Sequence, residues 1–181
     1  MPTMKLRPDQ IALFAFLDHL GIVTETVSHP PVFTVEEARA LRGEIAGGHC
    51  KCLFLKDKKG ALWLVVALED QVLDLKTLHK TIGAARLSFA KADVLWQVLG
   101  VRPGAVTPFA LINDTEGRVR IVLDRTMMTH DPLNYHPLHN EATTALAPCD
   151  LLAFLRACGC EPRIAELTEP AAPVAIGPAP G

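Results

Sequence analysis

Residues 50–68, CKCLFLKDKKGALWLVVAL, decide the fold. Two apolar runs flank a lysine-rich turn ending in Gly60, a layout that predicts a β-hairpin of residues 50–56 and 61–68. Period-two alternation sends Lys51, Leu53 and Leu55 to one face and Cys52, Phe54 and Lys56 to the other. Lys51 thus shares a face with leucines, which its long aliphatic stem tolerates.

Working outward, residues 7–21 (RPDQIALFAFLDHLG) place Ile11, Leu13, Phe14, Leu17 and Leu20 at helical spacing, between Pro8 at the start and Gly21 as a stop. Residues 34–43 (TVEEARALRG) open with Thr34 three positions before Glu37, the spacing of a capping box. Residues 74–83 and 91–100 read as short helices each ended by glycine, with a strand over 86–89 between them. PFALIND and RVRIVLD flank the turn NDTEG and predict a second hairpin over 107–124. A helix over 150–159, capped by Asp150, and a strand over 162–167 close the pattern. Strands and short helices interleave without a repeat, which is an α/β (α+β) organisation.

A chain of 181 residues, 49% hydrophobic and 21% charged, suits a single domain around one core, here residues 1–167. Residues 168–181, TEPAAPVAIGPAPG, lack the apolar mass to join that core and read as a tail. The net charge of -2 argues against coating long nucleic acid, and no basic recognition helix points to duplex DNA. No apolar run approaches membrane-spanning length and the N-terminal run contains Asp18 and His19, so no membrane partner and a cytoplasmic location are expected.

Five cysteines, an odd number, read as free thiols. Cys50/Cys52 and Cys158/Cys160 are spaced too tightly for a typical structural zinc site, and His130, His136 and His139 lack a helical metal-binding pattern. No metal and no cofactor are expected.

Two stretches could carry chemistry. GVRPGAVTPFAL, residues 100–111, stiffens the chain with proline and bares its backbone with glycine, so Gly104, Ala105, Val106, Thr107 and Pro108 could present main-chain groups to a small polar ligand or simply connect helix to strand. DPLNYHPLHNEATTAL, residues 131–146, gathers His136, His139, Asn134, Asn140, Glu141, Thr143 and Thr144, where polar groups could converge. A cysteine nucleophile at Cys50 or Cys52, its thiol acidified by a neighbouring lysine, ranks below activated water because no cysteine-hydrolase signature surrounds it.

In this order, HCKCLFLKDKKGALWLVVA, LSFAKADVLWQVLGVRPGAVTPFALIND and NYHPLHNEATTAL resemble the YbaK-like aminoacyl-tRNA deacylases, and most closely the freestanding prolyl-tRNA editing proteins. The resemblance runs from about residue 22 to residue 167. It implies a mixed, partly barrel-like sheet surrounded by short helices, and hydrolysis of mischarged Ala-tRNA(Pro) by positioned water without a covalent intermediate. It also implies catalytic roles for Lys51 and His136, and substrate binding by the Gly104–Pro108 loop and by Asn140, which supports the pocket beside His136. The tRNA acceptor end is the implied partner, met by Arg86 with Lys56, Lys58, Lys59 and Lys91; prolyl-tRNA synthetase is a further one. The sequence departs from the family's usual wording at Cys52, where Asn or Thr is common, and at His139, Glu141 and Ala142. Those departures keep two alternatives open: a deacylase for another small amino acid, cysteine or serine, and a non-catalytic module associated with tRNA or synthetase.

Overall fold

The computed structural model describes residues 6–32 and 34–167; the 168–181 tail lies outside the described residues. The hairpin forms as expected. β2 (Gly48–Asp57) and β3 (Leu62–Leu68) pair antiparallel, with Lys51 opposite Ala67 and Cys52 opposite Val66.

Six further strands complete an eight-stranded mixed sheet among the described residues: β1 (Glu25–Ser28), β4 (Leu87–Phe89), β5 (Val119–Asp124), β6 (Leu133–Tyr135), β7 (Ala142–Leu146) and β8 (Arg163–Ala165). The order is β1-β7-β6-β2-β3-β5-β8, and β4 joins β2 beside β6. The path runs from β1 to β8 without closing, so the sheet is not a barrel.

Both faces of the sheet's centre are buried, which explains why β3 reads as an unbroken apolar run. On one face Phe54, Leu62, Leu64, Val66, Ile121 and Leu123 meet α1 (Pro8–His19), α4 (Ala92–Leu99) and α5 (Pro148–Ala157). On the other, Leu55, Trp63, Val65, Ala67 and Val122 meet α3 (Leu75–Ile82). Thr34 and Glu37 form the expected reciprocal capping box of α2 (Val35–Glu44). Gly83 and Gly100 end α3 and α4 in the left-handed conformation.

Three expectations are corrected. Residues 107–124 do not form a hairpin: Pro108–Asn113 is a 3-10 turn whose first N–H groups include Phe109, donating to the Thr107 hydroxyl, and β5 runs parallel to β3. A short buried apolar run suits a helical turn as well as a strand, and here the proline after Thr107 starts the turn. α5 begins at Pro148, with Ala147 at the capping position, so Asp150 sits in the first turn instead. Finally, residues 131–146, for which the sequence pattern predicted no strand, contain β6 and β7.

Candidate active site

β2 is bordered along one edge by two different strands. Gly48 and His49 pair with β6, Leu55–Asp57 pair with β4, and the intervening residues face a gap between them. At this gap lies a cavity of about 200 Å³, whose described lining includes Cys50, Cys52, Glu69, Val106, Asn134 and His136. His49, Tyr135 and Thr143 complete its polar wall. A neighbouring hollow of about 540 Å³ shares Val32 and Leu41 with it and is bordered by His29 and α2.

His136 follows directly on β6. Its Nδ1 lies 2.9 Å from the Ala142 carbonyl oxygen. A carbonyl only accepts, so Nδ1 carries the proton and the neutral ring keeps a lone pair at Nε2. Burial lowers the pKa of His136 and the nearby His29 lowers it further, against opposing effects of the Ala142 bond and the Glu69 charge. The ring therefore stays neutral near pH 7. His29 lies 6.3 Å away between ring centroids; its Nδ1 donates to the Pro30 carbonyl, so its Nε2 accepts from the Thr143 hydroxyl at 2.8 Å.

Cys50 and Cys52 are held as thiols. Burial pushes Cys50 up to about 12, only partly offset by hydrogen bonds from Tyr135 and Asn134. Burial also raises Cys52 well above the ordinary thiol value, and Cys50 adds to it. The expectation that a lysine neighbour would acidify either thiol is overturned: alternation turns Lys51 to the opposite face, where its ammonium donates to the Gln71 carbonyl. All five cysteines are free.

The structure brings His136 and the 104–108 loop together, but through Val106 alone. Gly104 is exposed with φ +89°, Ala105, Thr107 and Pro108 are buried, and none of the four lines the cavity. Lys51 and Asn140 are also absent from the lining, and Glu141 is exposed. Cys50 and Cys52, on the strand face opposite Lys51, line the cavity in which the resemblance implied a role for Lys51. Of the proposed basic residues, Lys56 registers with Ser88 and the Lys58 N–H donates to the Arg86 carbonyl, so these three exposed side chains share one edge. Lys59 and Lys91 are exposed in the β2–β3 turn and at the start of α4. Among the described residues, no three His, Cys, Asp or Glu side chains cluster as a metal site would require. No helix among them is long and apolar enough to cross a membrane.

His29, His49, Glu69 and Thr143 were not singled out as site residues. Asn134 and Thr143 were visible in the polar stretch, but their exact roles needed the β6–β7 pairing, which sets Asn134 opposite Ala145 and Tyr135 opposite Thr144.

The chain matches the family model of the aminoacyl-tRNA editing domain over residues 29–154. It is 44% identical over 142 residues to prolyl-tRNA synthetase associated domain-containing protein 1 of Danio rerio, covering 77% of each chain. It is 40% identical over 149 residues to the prolyl-tRNA editing protein ProX of Acetoanaerobium sticklandii, covering 82% of this chain and 91% of that one. A solved structure described as a proposed trans-editing enzyme for prolyl tRNA synthetase shares the fold, with a TM-score of 0.70 at 22% identity over 92% of this chain and all of the other. With this architecture and these relatives, the chain belongs to the aminoacyl-tRNA editing domain family.

Proposed function

We propose that this protein is a trans-editing aminoacyl-tRNA deacylase that hydrolyses Ala-tRNA(Pro). The observation that carries the reading is the small cavity at the β2 gap, where the lone pair of a neutral, oriented His136 meets a narrow wall of Cys50, Cys52 and Val106. Such a space suits a small aminoacyl group. The adjoining hollow beside His29 offers room for the terminal adenosine.

The aminoacyl ester is already activated, so the protein needs mainly to orient water and stabilise developing charge. Water adds to the ester carbonyl carbon, the bond from that carbon to the ribose oxygen breaks, and alanine and tRNA with a free terminal hydroxyl leave. His136 accepts a hydrogen bond at Nε2 from the attacking water or from the adjacent ribose hydroxyl. With both thiols held protonated, no covalent intermediate is invoked.

Lys51 acts from outside this cavity: its bond to the Gln71 carbonyl ties β2 to the turn carrying Glu69. The Gly104–Pro108 loop presents Val106, and Asn140 supports the turn after His136. Discrimination between alanine and proline by fit to the cavity is worth ~1–3 kcal/mol. That alone is modest, so contacts of Arg86, Lys56, Lys58, Lys59 and Lys91 with the acceptor end add selectivity, with prolyl-tRNA synthetase as a companion in the cytoplasm.

A deacylation panel of tRNA(Pro) carrying alanine, cysteine, serine or proline tests the reading. Alanine should be released fastest and proline slowest. Preferential release of cysteine or serine would change the assigned substrate, and no release from any would leave a non-catalytic tRNA-associated module.

A further inference from the structure

Asn134 is 3% exposed, in the middle of β6, and lines the cavity. Its Nδ2 donates to the Ala46 carbonyl at 3.0 Å and to the Gly48 carbonyl at 3.2 Å. Two carbonyls facing one end of the amide fix which end is nitrogen, because a carbonyl cannot donate. The other end is therefore an oxygen. That Oδ1 is buried and has no hydrogen-bond partner among the described residues.

A buried acceptor without a donor is costly, and such atoms in native structures call for an explanation. The backbone around it is built closely: Gly47 has φ +104°, and a Cβ there would lie 2.3 Å from the Pro132 carbonyl oxygen and 3.0 Å from Asn134 Nδ2. The amide is thus clamped at its nitrogen end while its oxygen end has no donor among the described residues.

The neighbours select the donor's charge. The Nε2 of His49 donates to the Ile45 carbonyl, which makes its Nδ1 an acceptor, and His136 offers Nε2 as an acceptor. Glu69 is the charged side chain of the described lining, and no lysine or arginine is among that lining. A wall of acceptors with one carboxylate suits a cation that carries N–H donors.

We infer that Asn134 Oδ1 binds the α-ammonium group of the aminoacyl substrate, fixing which way the amino acid's side chain points. The inference rests on the deacylase reading for the identity of the ligand. The held ammonium directs the alanyl methyl group to the opposite, less polar wall.

The test uses the full chain and two non-hydrolysable probes: 3'-alanylamino-3'-deoxyadenosine, and its propionyl counterpart, which lacks the ammonium. Binding is titrated for the wild type, Asn134→Leu and Asn134→Asp. The wild type should bind the alanyl probe at least about tenfold more tightly, one hydrogen bond to a charged group being of that order. Asn134→Leu should bind both probes alike, at the wild-type affinity for the propionyl one. Asn134→Asp keeps an acceptor oxygen and should retain the preference, so the inference remains testable if the leucine variant does not fold. Equal binding of both probes by the wild type, binding of neither, or an equal loss for both probes in Asn134→Leu would overturn it. Turnover of Ala-tRNA(Pro) by the wild type is scored separately. Turnover without an ammonium preference sinks the Asn134 assignment alone, whereas an ammonium preference without turnover sinks the deacylase reading alone.

Discussion

The Ala142 carbonyl oxygen, at the start of β7, holds Nδ1 of His136, just after β6, at 2.9 Å. The antiparallel pairing of these two strands thus fixes the tautomer of the ring that lines the cavity. Because burial depresses the pKa of His136 below its ordinary 6.5, the ring takes up its proton only at a lower pH. If the neutral ring is the active form, kcat/KM for deacylation should be level above pH 6.5 and fall on the acid side of it. His136→Ala should lose about 10²–10⁴ in kcat and lose that acid limb. An acid limb centred above pH 6.5 would contradict the assignment.

Lys51 is a positioning residue in this scheme, since its ammonium bonds the Gln71 carbonyl, two residues beyond Glu69. Lys51→Ala should cut single-turnover deacylation by tenfold or more. A half-exposed side chain leaving one backbone carbonyl to water should cost the fold little, so thermal unfolding should move by only a few degrees. Unchanged turnover would remove Lys51 from the mechanism. The loss should be seen also with the alanyl probe's binding, because Glu69 would shift with its turn.

How much of this was legible in the sequence depends on what kind of signal each residue carries. The 50–68 hairpin, the glycine-ended helices and the Thr34–Glu37 box were readable because they rest on local periodicity and capping chemistry. The alternation in β2 even separated Lys51 from Cys52 correctly, yet the family resemblance drew Lys51 toward the cavity that Cys50 and Cys52 line. β1, β6 and β7 are three to five residues long, and their pairing is non-local, as in Val27 opposite Thr143. No local pattern marks such strands. His29 and Glu69 reach the site only through that pairing and through the turn after β3.

The basic edge gives a prediction about tRNA. Counting four residues at about 3.3 Å each, Lys56 stands about 13 Å along β2 from Cys52, so an acceptor strand could cross from the cavity to Lys56, Lys58 and Arg86. Exposed Trp96, with the Arg102 guanidinium 5.0 Å from its ring centroid, lies on α4 just after this edge strand. Replacing Lys56, Lys58 and Arg86 by alanine together should weaken tRNA binding and flatten its salt dependence by about 0.7 in log–log slope for each lost phosphate contact. Hydrolysis of a minimal aminoacyl-adenosine should be unaffected. A triple variant with the wild-type salt slope would place the tRNA elsewhere.

Asp57 ends β2 and anchors the turn that shapes this edge. Its carboxylate accepts from the backbone N–H groups of Lys59 and Ala61, from Trp63 Nε1 at 3.1 Å and from the Ala85 N–H. Burial alone would raise its pKa, but the bonds from Trp63 and the three backbone groups outweigh it and leave the pKa below the ordinary 3.8. A depressed carboxylate pKa means that the unfolded chain binds the proton more readily, so the stability Asp57 contributes is complete above pH 3.8 and is lost as pH falls through its lower folded value. Asp57→Ala should cost about 2–4 kcal/mol, since it strands the buried Trp63 N–H and three partly buried backbone donors at once. Urea unfolding measured at pH 7 and again near pH 3 checks both statements. The gap between wild type and variant should be wide at pH 7 and narrower in acid, and a gap that widened in acid would show that the carboxylate does not hold this turn.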